Sequence, residues 1–115
     1  MNTETKALVE QIYTILDFKK LNSIEVLDVA ELTTLAEVFI IAVASNIKQT
    51  QAMADQVEEK LKDMNIYSTR KEGYQSANWI LLDYGDIIVH IFDEEHAKFY
   101  DLARLWQDAK CIESY

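Results

Sequence analysis

A chain of 115 residues, half of them apolar and 10% aromatic, is long enough to build one domain around a packed core. Its net charge of −9, from 11 basic and 20 acidic residues, disfavours contact with bare nucleic acid, which needs clustered Lys and Arg. Two glycines, no proline and a single cysteine leave little room for long linkers and exclude an intramolecular disulfide.

Only Arg70 and Arg104 carry guanidinium groups, and the basic runs stop at Lys19-Lys20 and Arg70-Lys71. An acidic domain of this kind is steered toward a basic partner. The opening MNTETKALVE has neither the basic-then-apolar order of a secretory leader nor the Arg-rich character of a transit segment. No run approaches the roughly 18 apolar residues of a spanning helix. The expectation is a single soluble, cytoplasmic domain over residues 1–115.

In chain order, Leu8, Ile12, Ile15 and Lys19, with Val9 and Leu16 beside them, predict a packing helix from Thr3 to Lys20. Ile24 to Val29 alternates apolar and acidic residues, as in a short strand near a sheet edge. Val38 to Val43 is apolar without alternation, the pattern of a central strand buried on both faces. Ser45-Asn46 supply caps for a helix from Ile47 to Met64. Its stripe is Ile47, Thr50, Ala54, Val57, Leu61 and Met64, and Glu58 can pair with Lys62 on the exposed side. Ile66 to Lys71 predicts a modest strand, and Glu72-Gly73-Tyr74 a turn.

Trp79 to Phe92 carries the strongest pattern: two apolar runs around Asp83-Tyr84-Gly85-Asp86, a β-hairpin signal. A two-residue turn at Tyr84-Gly85 pairs Leu82 with Ile87, Ile80 with Val89 and Trp79 with His90. One face is then Ile80, Leu82, Ile87, Val89 and Ile91, all aliphatic. The other is mixed: Trp79, Leu81, Asp83, Asp86, Ile88, His90 and Phe92. Two readings of the mixed face stay open, an interior covered by helices with His90 hydrogen-bonded inside it, or a binding surface. Periodicity favours the first. Asp93-Glu94-Glu95 then open a helix to about Gln107 with Phe99, Leu102, Ala103 and Trp106 as its stripe. The order predicts one α/β domain with a mixed sheet of about five strands flanked by helices.

Catalytic signals are weak. The passage Ala44 to Gln49 has a strand-cap-helix order but no glycine, so it makes a poor phosphate cradle. The acids Asp83, Asp86, Asp93, Glu94 and Glu95 are explained by a turn and a helix start without invoking a metal. His90 and His96 have no cysteine or second histidine at ligand spacing. Ser45 lacks the glycines of a nucleophile elbow.

Glu72-Gly73, Trp79 to Asp86, Val89 to Phe92, Phe99 to Leu102 and Leu105-Trp106, with Ala54-Asp55 and Val57 to Leu61, resemble the ribosomal silencing factor (Iojap-like) family. The resemblance implies a nucleotidyltransferase-like fold without that activity and without a cofactor or metal. It also implies a translational repressor that binds large-subunit ribosomal protein fourteen at the intersubunit face and blocks small-subunit joining when nutrients are scarce. Self-association as a homodimer is a further implication. By position, the contact candidates are Trp79, Leu82, Asp83, Tyr84, His90, Phe92, Phe99, Tyr100 and Arg104. This chain departs from the family pattern at Ala36-Glu37, Val43, Lys48 and Ala103. The competing readings are an acidic dimerising adaptor for another basic protein and, behind it, a nucleotidyltransferase.

Overall fold

The computed structural model describes residues 3–18, 23–97 and 110–111. Its elements run α1 (Thr3–Asp17), β1 (Ser23–Asp28), β2 (Val38–Ala44), α2 (Ile47–Asp63), β3 (Arg70–Glu72), β4 (Trp79–Asp83), β5 (Ile87–Asp93), α3 (Glu94–Ala97) and β6 (Lys110–Cys111). The strands form one mixed sheet in the order β3-β4-β5-β2-β1-β6. Five of them match the expected set. The two-residue β6, paired with Leu27 and Asp28, has no counterpart in the sequence reading.

The centre of the sheet is a parallel ladder between β2 and β5, from Val38↔Ile87 to Ala44↔Asp93. Both strands are buried nearly throughout, which accounts for their unbroken apolar sequences. On one face, α1 and α2 cover Ile40, Ala42, Ile80, Leu82, Val89 and Ile91 with Val9, Ile12, Leu16, Met53, Val57 and Leu61. Each aliphatic side chain buried in this way contributes roughly 1.5–3 kcal/mol. On the other face a smaller cluster gathers Leu27, Val29, Phe39, Ile41, Ile88 and Phe92, with Trp79 and Leu81 packed against it.

The helices differ from expectation in detail. The buried stripe of α1 is Thr5, Val9, Ile12 and Leu16, with Leu8 and Ile15 at its margin, so the helix is rotated from the predicted face. Lys19 and Lys20, the predicted end of this helix, lie outside the described residues. In α2, Asn46 caps the start by accepting from the Gln49 amide at 2.9 Å, while the Gln49 side chain accepts from the Ser45 amide at 2.6 Å. Ile47 and Met64, both predicted in the stripe, are exposed. Glu58 reaches Lys71 of β3 at 2.6 Å, rather than taking part in the expected pair with Lys62.

Beyond α2, the Asn65 amide bonds the Lys62 carbonyl and the Ile66 amide bonds the Leu61 carbonyl, both at 2.9 Å. Asn65 sits at φ 60°, the left-handed position that ends a helix in a Schellman motif. Ile66 is thereby held against the core, and β3 starts only at Arg70 rather than at Ile66.

The hairpin register is displaced by two residues from the predicted one: Trp79 pairs with Phe92, Ile80 with Ile91, Leu81 with His90 and Leu82 with Val89. The turn centres on Gly85-Asp86, closed by the Tyr84 amide to the Ile87 carbonyl at 2.8 Å. Gly85 supplies the positive φ, +85°, and the Asp83 carboxylate holds its amide at 2.8 Å. An even displacement preserves parity, so both predicted faces survive.

Gly73 also has φ +78°, and a Cβ there would collide with the Trp79 carbonyl oxygen. Gly85, by contrast, has open space around it. Gly73→Ala is therefore expected to cost at least about 2 kcal/mol and Gly85→Ala about 1 kcal/mol. Urea unfolding monitored by circular dichroism checks the order: equal losses at the two positions would contradict it.

Candidate functional site

The mixed face of the hairpin becomes an aromatic cluster. β5 presents His90 and Phe92, β4 presents Trp79, and β2 presents Phe39, because alternate residues of neighbouring strands share a face. The Trp79 and Phe92 rings stack at 5.2 Å between centroids, and Phe39 meets His90 edge-on at 4.8 Å. Such pairs contribute about 0.5–1.5 kcal/mol each beyond their burial.

The two-residue displacement makes Trp79 and His90 diagonal neighbours instead of opposite ones, and they bond directly. The indole Nε1–H donates to His90 Nδ1 at 3.0 Å. An indole can only donate, so Nδ1 is the acceptor and the imidazole proton sits on Nε2. That nitrogen is buried and has no hydrogen-bond partner among the described residues. Burial pushes the His90 pKa down to about 4, so the ring is neutral at pH 7. The bond between the two side chains went unseen in the sequence because it depends on register.

The structure separates the residues singled out by resemblance. Leu82 is fully buried under the helices, Phe92 is 2% exposed and His90 is 4% exposed, so these three offer no surface to a partner. This corrects their assignment as contacts; Leu82 in particular is core on the opposite face from Trp79. The Asp83 carboxylate is spent on the turn, with Arg70 a further 3.9 Å from its second oxygen. Tyr84 packs on the helix-covered side, where burial, and after it the Glu58 charge, pushes its hydroxyl pKa up to about 12. Trp79 and Tyr84 thus lie on opposite faces and at opposite ends of the β4 segment. Trp79 is half-buried and keeps surface of its own. Phe99, Tyr100 and Arg104, and the helix predicted around them, lie outside the described residues.

A second polar group stands at the end of β5. Asp93 accepts from the His96 amide at 2.9 Å, and His96 Nδ1 lies 2.8 and 3.0 Å from its two carboxylate oxygens. Together with Glu95 their donor atoms fall within 4.8 Å of one another. The arrangement is that of a helix cap, with Asp93 buried and its carboxylate occupied by backbone and imidazole. At the strand-to-helix passage after β2, the Ser45 amide is likewise taken by Gln49, which removes a donor that a phosphate would use. Among the described residues no helix is long and apolar enough to cross a membrane.

Two solved proteins share this fold. A crystal structure from Chromobacterium violaceum is 29% identical in sequence, with a TM-score of 0.85 over 96% of this chain and 92% of its own. One from Bacillus halodurans, also 29% identical, gives 0.83 over 94% and 98%. In sequence the chain is 34% identical over 97 residues to the ribosomal silencing factor of Halalkalibacterium halodurans, covering 84% of this chain and 83% of that one. It is 34% identical over 97 residues to the chloroplastic Iojap protein of Zea mays, of which it covers 41%. The family model described as ribosomal silencing factor during starvation matches residues 2–115. The chain belongs to the ribosomal silencing factor family.

Neutral His90 makes stability depend on pH in a defined direction. Its folded pKa lies below the unfolded value near 6.5, so the unfolded chain takes up the proton first as pH falls. The contribution is present above pH 6.5 and is lost progressively toward pH 4. About 2 kcal/mol of stability should disappear between pH 7 and 5 on this account. In a His90→Phe variant, whatever its absolute stability, that part of the pH dependence vanishes. Parallel urea titrations at the two pH values provide the comparison, and identical pH dependence in both proteins would refute it.

Proposed function

We propose that this protein silences ribosomes by binding the large subunit through its ribosomal protein fourteen and sterically blocking small-subunit joining, which lowers translation under nutrient limitation. Membership of the ribosomal silencing factor family is the observation that carries the reading. The charge of −9 supports it, because ribosomal proteins are basic and an acidic partner is steered to them.

Trp79 is the contact we assign first. Its indole is partly exposed, stacked on Phe92 and oriented by His90, so it presents a large ring with little freedom left to lose. Rigid aromatic anchors of this kind dominate many interfaces. Phe99, Tyr100 and Arg104 complete the proposed contact set, with His90 and Phe92 acting from behind the surface.

The test is co-sedimentation of the purified protein with separated small and large subunits, alongside a subunit-joining assay. Binding to the large subunit alone, with joining reduced, is the expected result. Trp79→Ala should weaken that binding at least about 10-fold while circular dichroism shows the fold retained. No binding of the parent protein at physiological salt would overturn the proposal.

A further inference from the structure

The described residues include six exposed large hydrophobic side chains, and four of them, Leu32, Leu35, Met64 and Tyr67, belong to one end of the sheet. Isolated exposed apolar residues need no explanation, but a local group of them does. Backbone bonds establish the grouping. The Glu37 and Val38 amides both bond the Asp86 carbonyl, at 2.8 and 3.1 Å, which seats the loop carrying Leu32 and Leu35 beside the hairpin turn. On the turn's other side the Thr69 amide bonds the Asp83 carbonyl at 2.8 Å, which brings Tyr67 to the same end. The path of α2 agrees. Gln51 and Asp55 bond Tyr74, and Glu58 further along bonds Lys71, so its C-terminus and Met64 point toward the turn.

The resulting surface has two apolar footholds, Leu32 with Leu35 and Tyr67 with Met64. Three strand spacings separate β2 from β3, about 14 Å. Between and around them stand Asp28, Glu31, Glu37, Asp63, Asp83 and Asp86. The basic residues nearby among those described are Lys62, Arg70, Lys71, which Glu58 engages at 2.6 Å, and Lys110, in register with Asp28. Arg70 already lies 3.6 Å from Glu72 and 3.9 Å from Asp83. Glu37 contributes something more specific: its Oε2 is shut off from solvent and has no hydrogen-bond partner among the described residues. A buried carboxylate oxygen without a donor costs stability.

From this geometry we infer that the turn end of the sheet is a second docking surface, distinct from Trp79, for a basic polypeptide that carries apolar side chains on either side of Lys or Arg. An extended segment rises about 3.4 Å per residue, so apolar residues four apart span the 14 Å between the footholds. The intervening Lys or Arg then faces Asp86, whose carboxylate flanks the hairpin turn. Negative potential of this density repels the phosphates of RNA, so nucleic acid is not the occupant.

A synthetic peptide, acetyl-Lys-Leu-Lys-Arg-Lys-Leu-Lys-amide, tests the surface by amide chemical-shift mapping at 150 mM salt, with no ribosome present. The outcome of the ribosome-binding assay therefore has no bearing on this one. Shifts should centre on Leu32, Leu35, Tyr67, Gly85 and Asp86, and the same peptide with both leucines replaced by serine should bind at least 10-fold more weakly. A Leu35→Ser, Tyr67→Ser double variant should lose at least 10-fold in affinity, while Phe18→Ser, at a still more exposed side chain just beyond α1, should lose none. Shifts that are absent, centred on Trp79, or indifferent to the double variant would overturn the inference. So would binding of an oligouridine at this end.

Discussion

The parallel pairing of Val38–Ala44 with Ile87–Asp93 is the constraint on which the rest of the structure depends. These segments are far apart in sequence, so their ladder closes a long loop, and that entropy is repaid only when both faces of both strands are buried. Everything between them, α2, β3 and β4, is then bound to pack on one side of the ladder or extend its edge. The helical layer buries the even-numbered side chains of β2 and β4. The opposite face receives Phe39, Ile41, His90 and Phe92 together, which neither strand achieves alone.

The aromatic cluster follows from that closure. His90 is a polar side chain in an apolar setting, tolerated because it remains neutral and gives its one available acceptor to the Trp79 indole. The arrangement holds a large ring at the margin of the sheet with its polar atom already satisfied. A residue fixed in this way loses little further entropy on meeting a partner, which suits an anchor better than a free indole would. The proposed role of Trp79 rests on the chain's membership of the ribosomal silencing factor family together with its charge of −9.

The same ladder also determines what the turn end of the sheet looks like. Asp86 bonds backwards to Glu37 and Val38, so the loop of residues 29–37 is tied to the hairpin tip and its leucines have no core left to enter. The acidic side chains around them give that end the charge on which the proposed docking of a basic segment rests.

Much of this was legible in the residues themselves. Unbroken apolar runs at 38–43 and 87–91 identified the buried strands, Asn46 marked the start of α2, and alternation along Trp79–Phe92 sorted the hairpin into its two faces. Those features are local, written in composition and period. The faces survived an error in the turn because strand parity is unchanged by a shift of two. What tertiary structure alone decided is who meets whom. Glu58 turned from its helical neighbour Lys62 to Lys71 because β3 passes within reach of α2. Leu82 went into the core and Trp79 to the opposite face, though both sit in one short run of the sequence. The Trp79–His90 bond needed the turn to fall at Gly85-Asp86, where an Asp83 carboxylate and a positive φ could be satisfied together. Period tells a side chain which way to point, but only the completed packing settles what it finds there.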